Sequence, residues 1–233
     1  MSNNLTAVIL LAGLGSRLGR PHPKCLTPIG QGETILSRQL AILKKFHIPV
    51  VAVVGFKKDI IMEAAPEMSF VYNPNFDTTN TSKSLLCAVE KIHHGDILWL
   101  NGDVIFDEDV MQRMLDNADH PIVAVNTART AEEEVKYTTN DENKIIQLSK
   151  QVTQAEGEAL GINLITREYM GEFKQHLEKV DENDYFERAM ETMIESIGPI
   201  FSPVDVSDLA CIEVDFEEDL SDALKQLGRL QQS

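Results

Sequence analysis

Four residues have the types and surroundings for joint chemistry: Arg17 and Lys24 near the start of the chain, and Asp103 and Asp215 far downstream. The two cations share one connection, Gly13-Leu14-Gly15-Ser16-Arg17-Leu18-Gly19 followed by Pro23-Lys24, which opens directly behind an apolar run. Glycines let backbone N–H groups approach an anionic oxygen closely, so such a loop can cradle phosphate. It is not the dinucleotide fingerprint, since the third glycine of GxGxxG falls at Leu18, and it is not a Walker A loop, since no Gly-Lys-Ser/Thr follows. A nucleoside triphosphate needs fixed positive groups spread along its length, which Arg17 and Lys24 supply. A solvated loop decorated by cations is the plainer alternative.

Asp103 follows the run Ile97–Leu100 through Asn101-Gly102, and Asp215 follows Cys211-Ile212-Glu213-Val214. Two carboxylates leaving strand ends at one rim of a sheet suit magnesium, which takes one or two carboxylates plus substrate phosphates. Taken singly, each aspartate is equally well a turn residue or a helix cap. The remaining candidates carry less. Glu132-Glu133-Glu134, Asp181-Glu182 and Glu217-Glu218-Asp219 are charge runs of the kind found on solvated faces or at helix starts. His93-His94 sits at a helix end before Gly95, Trp99 lies inside an apolar strand, and Cys25, Cys87 and Cys211 form no CxxC pair.

With these residues in view, Ala7-Val8-Ile9-Leu10-Leu11-Ala12-Gly13-Leu14-Gly15-Ser16-Arg17-Leu18, then Pro23-Lys24, resembles the signature of the sugar-phosphate pyrophosphorylase superfamily. These are nucleotidyltransferases that join a nucleoside triphosphate to a phosphorylated small molecule. The sequence departs at Leu11, where the family usually has alanine. The resemblance implies that Leu11, Ala12, Gly13, Gly15, Ser16 and Arg17 hold the nucleotide, with Lys24 and Arg17 stabilising charge at the reacting phosphate. The family places one metal-binding aspartate after such a strand and a second in a late Glu-x-Asp. Gly102-Asp103 and Glu213-Val214-Asp215 resemble these, which implies Mg2+ at Asp103 and Asp215, with Asp103 also beside the nucleotide.

Asn73-Pro74-Asn75 and Thr79-Asn80-Thr81-Ser82-Lys83-Ser84-Leu85 resemble the base-bordering segment of the cytidylyltransferase branch. Short hydroxyl and amide side chains at a helix start can hydrogen-bond a pyrimidine edge, so CTP is expected, with Asn80 and Ser84 near the base. Glu134-Val135-Lys136, Ser149-Lys150, Gly157–Gly161 and Asp184-Tyr185-Phe186-Glu187 are similar to the same branch, whose members act on phosphocholine, aminoethylphosphonate or inositol phosphate. That similarity implies an acceptor site of Lys136, Lys150, Glu158, Tyr185, Glu187 and Glu213. The tryptophan that phosphocholine enzymes show near the 134–136 segment is absent here. The expected activity is Mg2+-dependent transfer of CMP from CTP to a small phosphorylated or phosphonate acceptor. The alternatives are a sugar-1-phosphate nucleotidyltransferase using UTP, TTP or GTP, and a non-catalytic nucleotide-binding module.

To hold these residues the chain must alternate strand and helix. Ala7–Leu11, Pro49–Val54, Ser69–Tyr72, Ile97–Leu100 and Ile122–Val125 read as buried strands, and Leu36/Leu40/Leu43/Phe46, Ile60/Ile61/Ala64, Leu85/Ala88/Val89/Ile92 and Asp107–Leu115 as helices. Such alternation predicts parallel strands covered on both faces. Beyond residue 126, Glu134–Thr138 and Lys144–Leu148 flank a turn-rich tetrad, Asn140–Asn143, so the sheet becomes mixed. Leu160–Ile165 and Cys211–Val214 complete the strands, and Glu168–Glu178, Tyr185–Ile194 and a Leu220/Ala223/Leu224/Leu227/Leu230 stripe the helices. The expected architecture is α/β: a three-layer Rossmann-like nucleotidyltransferase fold with a mostly parallel, mixed central sheet. A single domain over 1–233 is expected, with a nucleotide-binding half (1–125) and an acceptor-binding half (126–233).

Composition bounds the partners. Among 233 residues, 43% hydrophobic and 25% charged, 21 basic residues face 37 acidic ones, for a net charge of −16. A surface so acidic repels a nucleic-acid backbone. No apolar run approaches the roughly 20 residues of a membrane span, and Met1–Thr6 carries no basic n-region, so no membrane insertion and a cytoplasmic location are expected. Homodimerisation stays open.

Overall fold

The computed structural model describes residues 5–14, 22–128, 130 and 134–230, the side chains of 229 and 230 apart. In chain order, β1 (Leu5–Leu11) leads through a 3-10 turn at Lys24–Leu26 to a small hairpin, β2 (Pro28–Gly30) and β3 (Glu33–Thr34). Then follow α1 (Ile35–Lys45), β4 (Val50–Val54), α2 (Lys58–Ala64), β5 (Ser69–Tyr72), α3 (Thr81–Val89), β6 (Asp96–Asn101), β7 (Val104–Phe106), α4 (Glu108–Asp116) and β8 (Ile122–Asn126). The second half contributes β9 (Lys136–Thr139), β10 (Ile145–Ser149), β11 (Gly157–Ile165), α5 (Met170–Lys179), α6 (Phe186–Ile197), β12 (Ser202–Asp205), β13 (Cys211–Glu213) and α7 (Glu217–Leu230).

The main sheet has nine strands, in the order β10-β9-β11-β6-β1-β4-β5, with β8 and β12 branching from β11. β1, β4, β5, β6, β8, β9 and β12 run one way, and β10 and β11 run against them. This is the mixed, mostly parallel sheet that the alternating pattern predicts. Its central strands are apolar throughout because both faces are covered. Along β1, Ala7, Ile9 and Leu11 face one core with α1, α2 and α4, while Val8, Leu10 and Ala12 face another with α3, α5 and α6. On that second side Trp99 is fully buried, stacked on Phe173 at 5.2 Å and edge-on to Phe186 at 5.7 Å. A third cluster packs α7 onto β13, β7 and the foot of α1 through Ile212, Val214, Ile105, Ile35, Leu220 and Ala223. Among the described residues no helix is long and apolar enough to cross a membrane.

Several local expectations shift. The chain after α3 leaves the helix at Val89, so His93 and His94 stand exposed beyond it rather than at its last turn. The Asn140–Asn143 tetrad is a turn, with Asn140 Oδ1 accepting from the N–H groups of Glu142 and Lys144 and Asn143 at φ 57°. Four short strands, β2, β3, β7 and β12, were not expected; β7 matters most, because it pairs with β13 outside the main sheet.

One side chain joins the two halves near the crevice. Lys83 Nζ donates to the carbonyls of Leu177 at 2.9 Å, Glu178 at 3.1 Å and Val180 at 2.7 Å, closing the C-terminal end of α5 from α3. A cation over the last carbonyls of a helix satisfies orphan acceptors and complements the helix dipole. Lys83→Met keeps the apolar stem and removes the donors, and is expected to cost about 1–3 kcal/mol of stability. A urea melt should show a lower midpoint with an unchanged slope; an unshifted midpoint would refute the assignment.

Candidate active site

At the carboxyl ends of the parallel strands lies a cavity of about 430 Å³, open to solvent, lined from both halves of the chain. Ligand sites in open α/β sheets occupy this position. Leu11, Ala12 and Gly13 form one wall, where β1 ends. Among the described residues, no atom beyond its chain neighbours lies within 4 Å of where a Cβ on Gly13 would stand. Leu11 is where the sequence departs from the family pattern. Its side chain sits over Gly102, where a Cβ would meet Leu11 Cδ2 at 2.2 Å and the Leu10 carbonyl at 2.8 Å. Only glycine lets the chain pass so close, and Gly102 N–H donates to that carbonyl at 3.1 Å. This contact brings Asp103 beside the loop.

Asp215 arrives by a different route. β13 pairs with β7 in antiparallel register from Cys211 opposite Phe106 to Glu213 opposite Val104, and Val214 N–H then donates to the Asp103 carbonyl at 3.0 Å. Residues two apart on a strand share a face. Ile212 and Val214 therefore enter the core against α7, while Glu213 and Asp215 turn to the cavity. The start of α7 is capped by Asp219, whose Oδ2 accepts from Asp215 and Phe216 N–H at 3.0 and 2.7 Å, leaving the Asp215 carboxylate for the site.

Lys24 closes the arrangement. Its Nζ lies 2.8 Å from Asp103 Oδ2 and 2.6 Å from Asp215 Oδ1, with the lysine side chain 11% and the aspartates 21% and 22% exposed. Burial disfavours the ammonium, but Asp103 and Asp215 outweigh it and hold the Lys24 pKa above its ordinary value. Neighbouring Cys25 is no nucleophile: burial, with Asp103 nearby, pushes its thiol up to about 12. Asp103 Oδ1 is buried without a hydrogen-bond partner among the described residues. Two carboxylates with a spare oxygen suit a divalent hard cation completed by substrate oxygens. Among the described residues no group of three or more His, Cys, Asp and Glu forms a full protein cage.

The expected nucleotide residues are distributed unevenly. Gly15, Ser16 and Arg17 lie outside the described residues. Asn80 and Ser84 line the cavity at the start of α3, and both also hold structure. Asn80 Oδ1 caps Thr81 N–H at 2.9 Å and its Nδ2 donates to the Asn183 carbonyl; Ser84 Oγ accepts from buried Asn73 Nδ2 at 3.0 Å. Of the expected acceptor residues, Lys150, Tyr185, Glu187 and Glu213 line the cavity, with Lys150 Nζ 5.2 Å from the centre of the Tyr185 ring. Lys136 and Glu158 do not line it. They face each other across β9 and β11, Glu158 at 1% exposure and Lys136 Nζ 3.5 Å from the Lys150 carbonyl, and so sit behind the wall. Glu134, set aside as part of a charge run, lines the cavity, as do Asn101 and Phe76, neither of which was a site candidate in the sequence, and Thr81 of the segment that resembles the base border. For Asn101 the one available signal was its place just before Gly102-Asp103.

The far wall is strongly acidic. Burial raises the Glu213 carboxyl well above its ordinary range, with Asp103, Glu134, Glu187 and Asp215 adding to the effect. Burial likewise pushes Glu187 up to about 7 from an ordinary 4.5, Lys150 pulling it down and Glu134 pushing it up, and its Oε2 is shielded from solvent without a partner among the described residues. A carboxyl whose pKa is raised on folding binds more protons folded than unfolded. Stability therefore falls as pH rises from about 4.5 to about 7, and the cost stays in full above that. Glu187→Gln is thus expected to stabilise the ligand-free protein by about 2–3 kcal/mol at pH 8, with the advantage gone near pH 4.5. Denaturant melts at both pH values check this; an equal difference at each would refute it.

A family profile for the MobA-like NTP transferase domain matches residues 7–197. The chain is 29% identical over 231 residues to a CMP-5'-(3-aminopropyl)phosphonate synthase of Streptomyces rubellomurinus, covering 90% of this chain and 36% of that protein. It is 30% identical over 152 residues to a bifunctional protein GlmU of Methanococcus aeolicus, covering 63% of this chain and again 36% of the relative. The chain thus spans about a third of the length of these two curated relatives. The inositol-1-phosphate CTP transferase of T. maritima superposes with a TM-score of 0.78 at 17% identity, over 97% of this chain and 96% of that one. The CTP:phosphocholine cytidylyltransferase LicC of Streptococcus pneumoniae does so with 0.75 at 18%, over 96% and 99%. These two likenesses establish a shared fold. The profile match, running from the first central strand to the end of α6, decides the family: the chain belongs to the MobA-like NTP transferases.

Proposed function

We propose that the protein transfers CMP from CTP to a small phosphorylated or phosphonate acceptor, releasing pyrophosphate. The observation that carries this reading is Lys24 held between Asp103 and Asp215 in the cavity at the end of β1, where a reacting phosphate needs both positive charge and metal-binding carboxylates. The name of the Streptomyces rubellomurinus relative, a CMP-5'-(3-aminopropyl)phosphonate synthase, is consistent with it.

An oxygen of the acceptor's phosphate or phosphonate attacks the α-phosphorus, a new O–P bond forms, and the bond to the bridging oxygen of pyrophosphate breaks in line. A phosphate monoester has its second pKa near about 6, so it arrives largely dianionic and no general base is required. Alignment and charge neutralisation therefore provide the rate. The backbone at Ala12 and Gly13, with Arg17, binds the triphosphate, and Lys24 offsets the charge that builds at the α-phosphate. Thr81, Asn80 and Ser84 at the start of α3 border the base. Asp103 and Asp215 would hold Mg2+, which supplies charge neutralisation on the phosphate oxygens when bound. Lys150 and the Glu187–Glu213 wall orient the acceptor at the opposite end.

Transfer to a sugar 1-phosphate is the second reading, supported by the similarity to GlmU proteins. The acidic far wall weighs against it, because a neutral sugar ring offers no charge to complement Glu187. A panel of CTP, UTP, TTP and GTP crossed with aminoalkylphosphonates, phosphocholine, inositol 1-phosphate and glucose 1-phosphate, read by pyrophosphate release with and without Mg2+, separates these readings. Release with CTP and an aminoalkylphosphonate is expected. Release only with UTP, TTP or GTP and a sugar phosphate would establish the second reading in its place. Lys24→Ala is expected to lower kcat about 10²-fold or more while the circular dichroism spectrum is retained. Near-normal turnover in that variant would remove Lys24 from the mechanism.

A further inference from the structure

Asn73 follows directly on β5 and is 2% exposed. Its backbone N–H donates to the Val54 carbonyl at 3.0 Å, which anchors it at the end of β4. Its side chain is the hub of the loop that runs from β5 to α3. Oδ1 accepts from Asn75 N–H at 3.0 Å, and Nδ2 donates to Thr79 Oγ1 and to Ser84 Oγ, each at 3.0 Å. Thr79 and Ser84 line the cavity, and Asn73 stands behind them without lining it. The direction of every bond in this circuit is settled. Asn75 N–H can only donate, so the end of the amide turned to Thr79 and Ser84 is the NH2 group. Thr79 Oγ1 in turn donates to the Asn75 carbonyl at 2.8 Å, a group that can only accept, and its proton is thereby committed. Ser84 Oγ accepts from Asn73 and makes no other hydrogen bond among the described residues.

A hydroxyl has one proton to give, and accepting a hydrogen bond polarises it and strengthens the bond it donates. With Asn73 donating to its oxygen, what Ser84 has left to place is its proton. We propose that Asn73 is a positioning residue for base selection: it turns the Ser84 hydroxyl into a donor toward the nucleotide, and so favours cytosine, whose ring N3 accepts, over uracil and thymine, whose N3–H donates. This rests on the reading given above in which the start of α3 borders the base. It assigns selectivity to a residue outside the cavity, acting through one inside it. A loop-holding role alone would make a different prediction for aspartate at 73. Aspartate has the same shape and still accepts from Asn75 N–H, but when ionised it has no N–H to give. Ser84 would then turn its proton inward and present lone pairs to the base.

The test is calorimetric binding of CTP and of UTP, with Mg2+ and no acceptor, at pH 8. The wild-type protein is expected to bind CTP about tenfold or more tightly than UTP. Asn73→Asp should bring the two nucleotides within about threefold of each other. Ser84→Ala should lower the CTP preference to a similar extent. Adding Asn73→Asp to Ser84→Ala should then change the ratio by less than about twofold, the non-additivity of residues that act through one group. Lys83→Met, which removes bonds elsewhere on α3, should keep the wild-type ratio and so separates base selection from loss of stability. A folded Asn73→Asp protein with the wild-type ratio overturns the proposal and leaves CTP use standing. Should that variant fail to fold, a Ser84→Ala protein with the wild-type ratio overturns it equally. A wild-type protein that binds UTP as tightly as CTP overturns both this proposal and the choice of CTP. Where the CTP preference follows Asn73 but no acceptor yields pyrophosphate, the transfer reading fails and the role of Asn73 stands.

Discussion

The site depends on bringing two carboxylates of like charge to one point and keeping them there. Asp103 and Asp215 are separated by about half of the chain, and their repulsion in a sheltered crevice is offset by Lys24 Nζ, within 2.8 Å of both. Removing one partner of such a cluster leaves uncompensated charge, which is why charges this sheltered occur in bonded groups. The surrounding fold serves this contact. The Gly102 crossing under β1 sets the position of Asp103, the β7–β13 ladder sets that of Asp215, and the 3-10 turn after Pro23 sets that of Lys24. None of the three is a device of the main sheet alone.

That division explains what could be read from the sequence. The apolar strands β1, β4 and β6 and the periodic helices around them are legible because both faces of a parallel sheet are buried, which leaves an unbroken hydrophobic run. Asp103 and Asp215 were legible as carboxylates behind such runs. The ladder that joins them was not. β7 is three residues long and follows β6 after only Gly102-Asp103, so it reads as the same strand continuing. β12 contains Pro203, which lacks the N–H of a ladder donor and argues locally against a strand.

The far wall was legible only in part, for a related reason. Tyr185 and Glu187 stand at the start of α6 and Lys150 just past β10, where residue type and element boundary coincide. Glu158 and Lys136 belong to segments that look alike in kind, yet strand alternation turns Lys136 and Glu158 off the cavity while Val135 and Ala159 line it. A shift of one residue along a strand exchanges one face for the other, and similarity in a segment does not fix which face is which. Asn101 carries no signature beyond its place just before Gly102-Asp103. Its place in the wall is set by contact with Glu213 and Gly161, both distant in sequence.

The two ends of the crevice obey opposite electrostatic rules, and together they define the shape of charge that fits. Near the end of β1, Lys24 favours anionic oxygen. At the far wall, Glu187 and Glu213 favour a cation, and burial holds their carboxyls above the ordinary range, with Lys150 offsetting Glu187 only in part. In a chain of net charge −16 the long-range field repels any phosphate, so binding must come from short-range contacts. A ligand anionic at one end and cationic at the other satisfies both ends at once. On the proposed reading, the cost of burying carboxyls at the far wall is relieved when a cationic end of the acceptor binds. Its phosphate or phosphonate is thereby directed toward Lys24 and away from the acids, which turns a destabilising feature of the empty fold into an orienting force for the reaction.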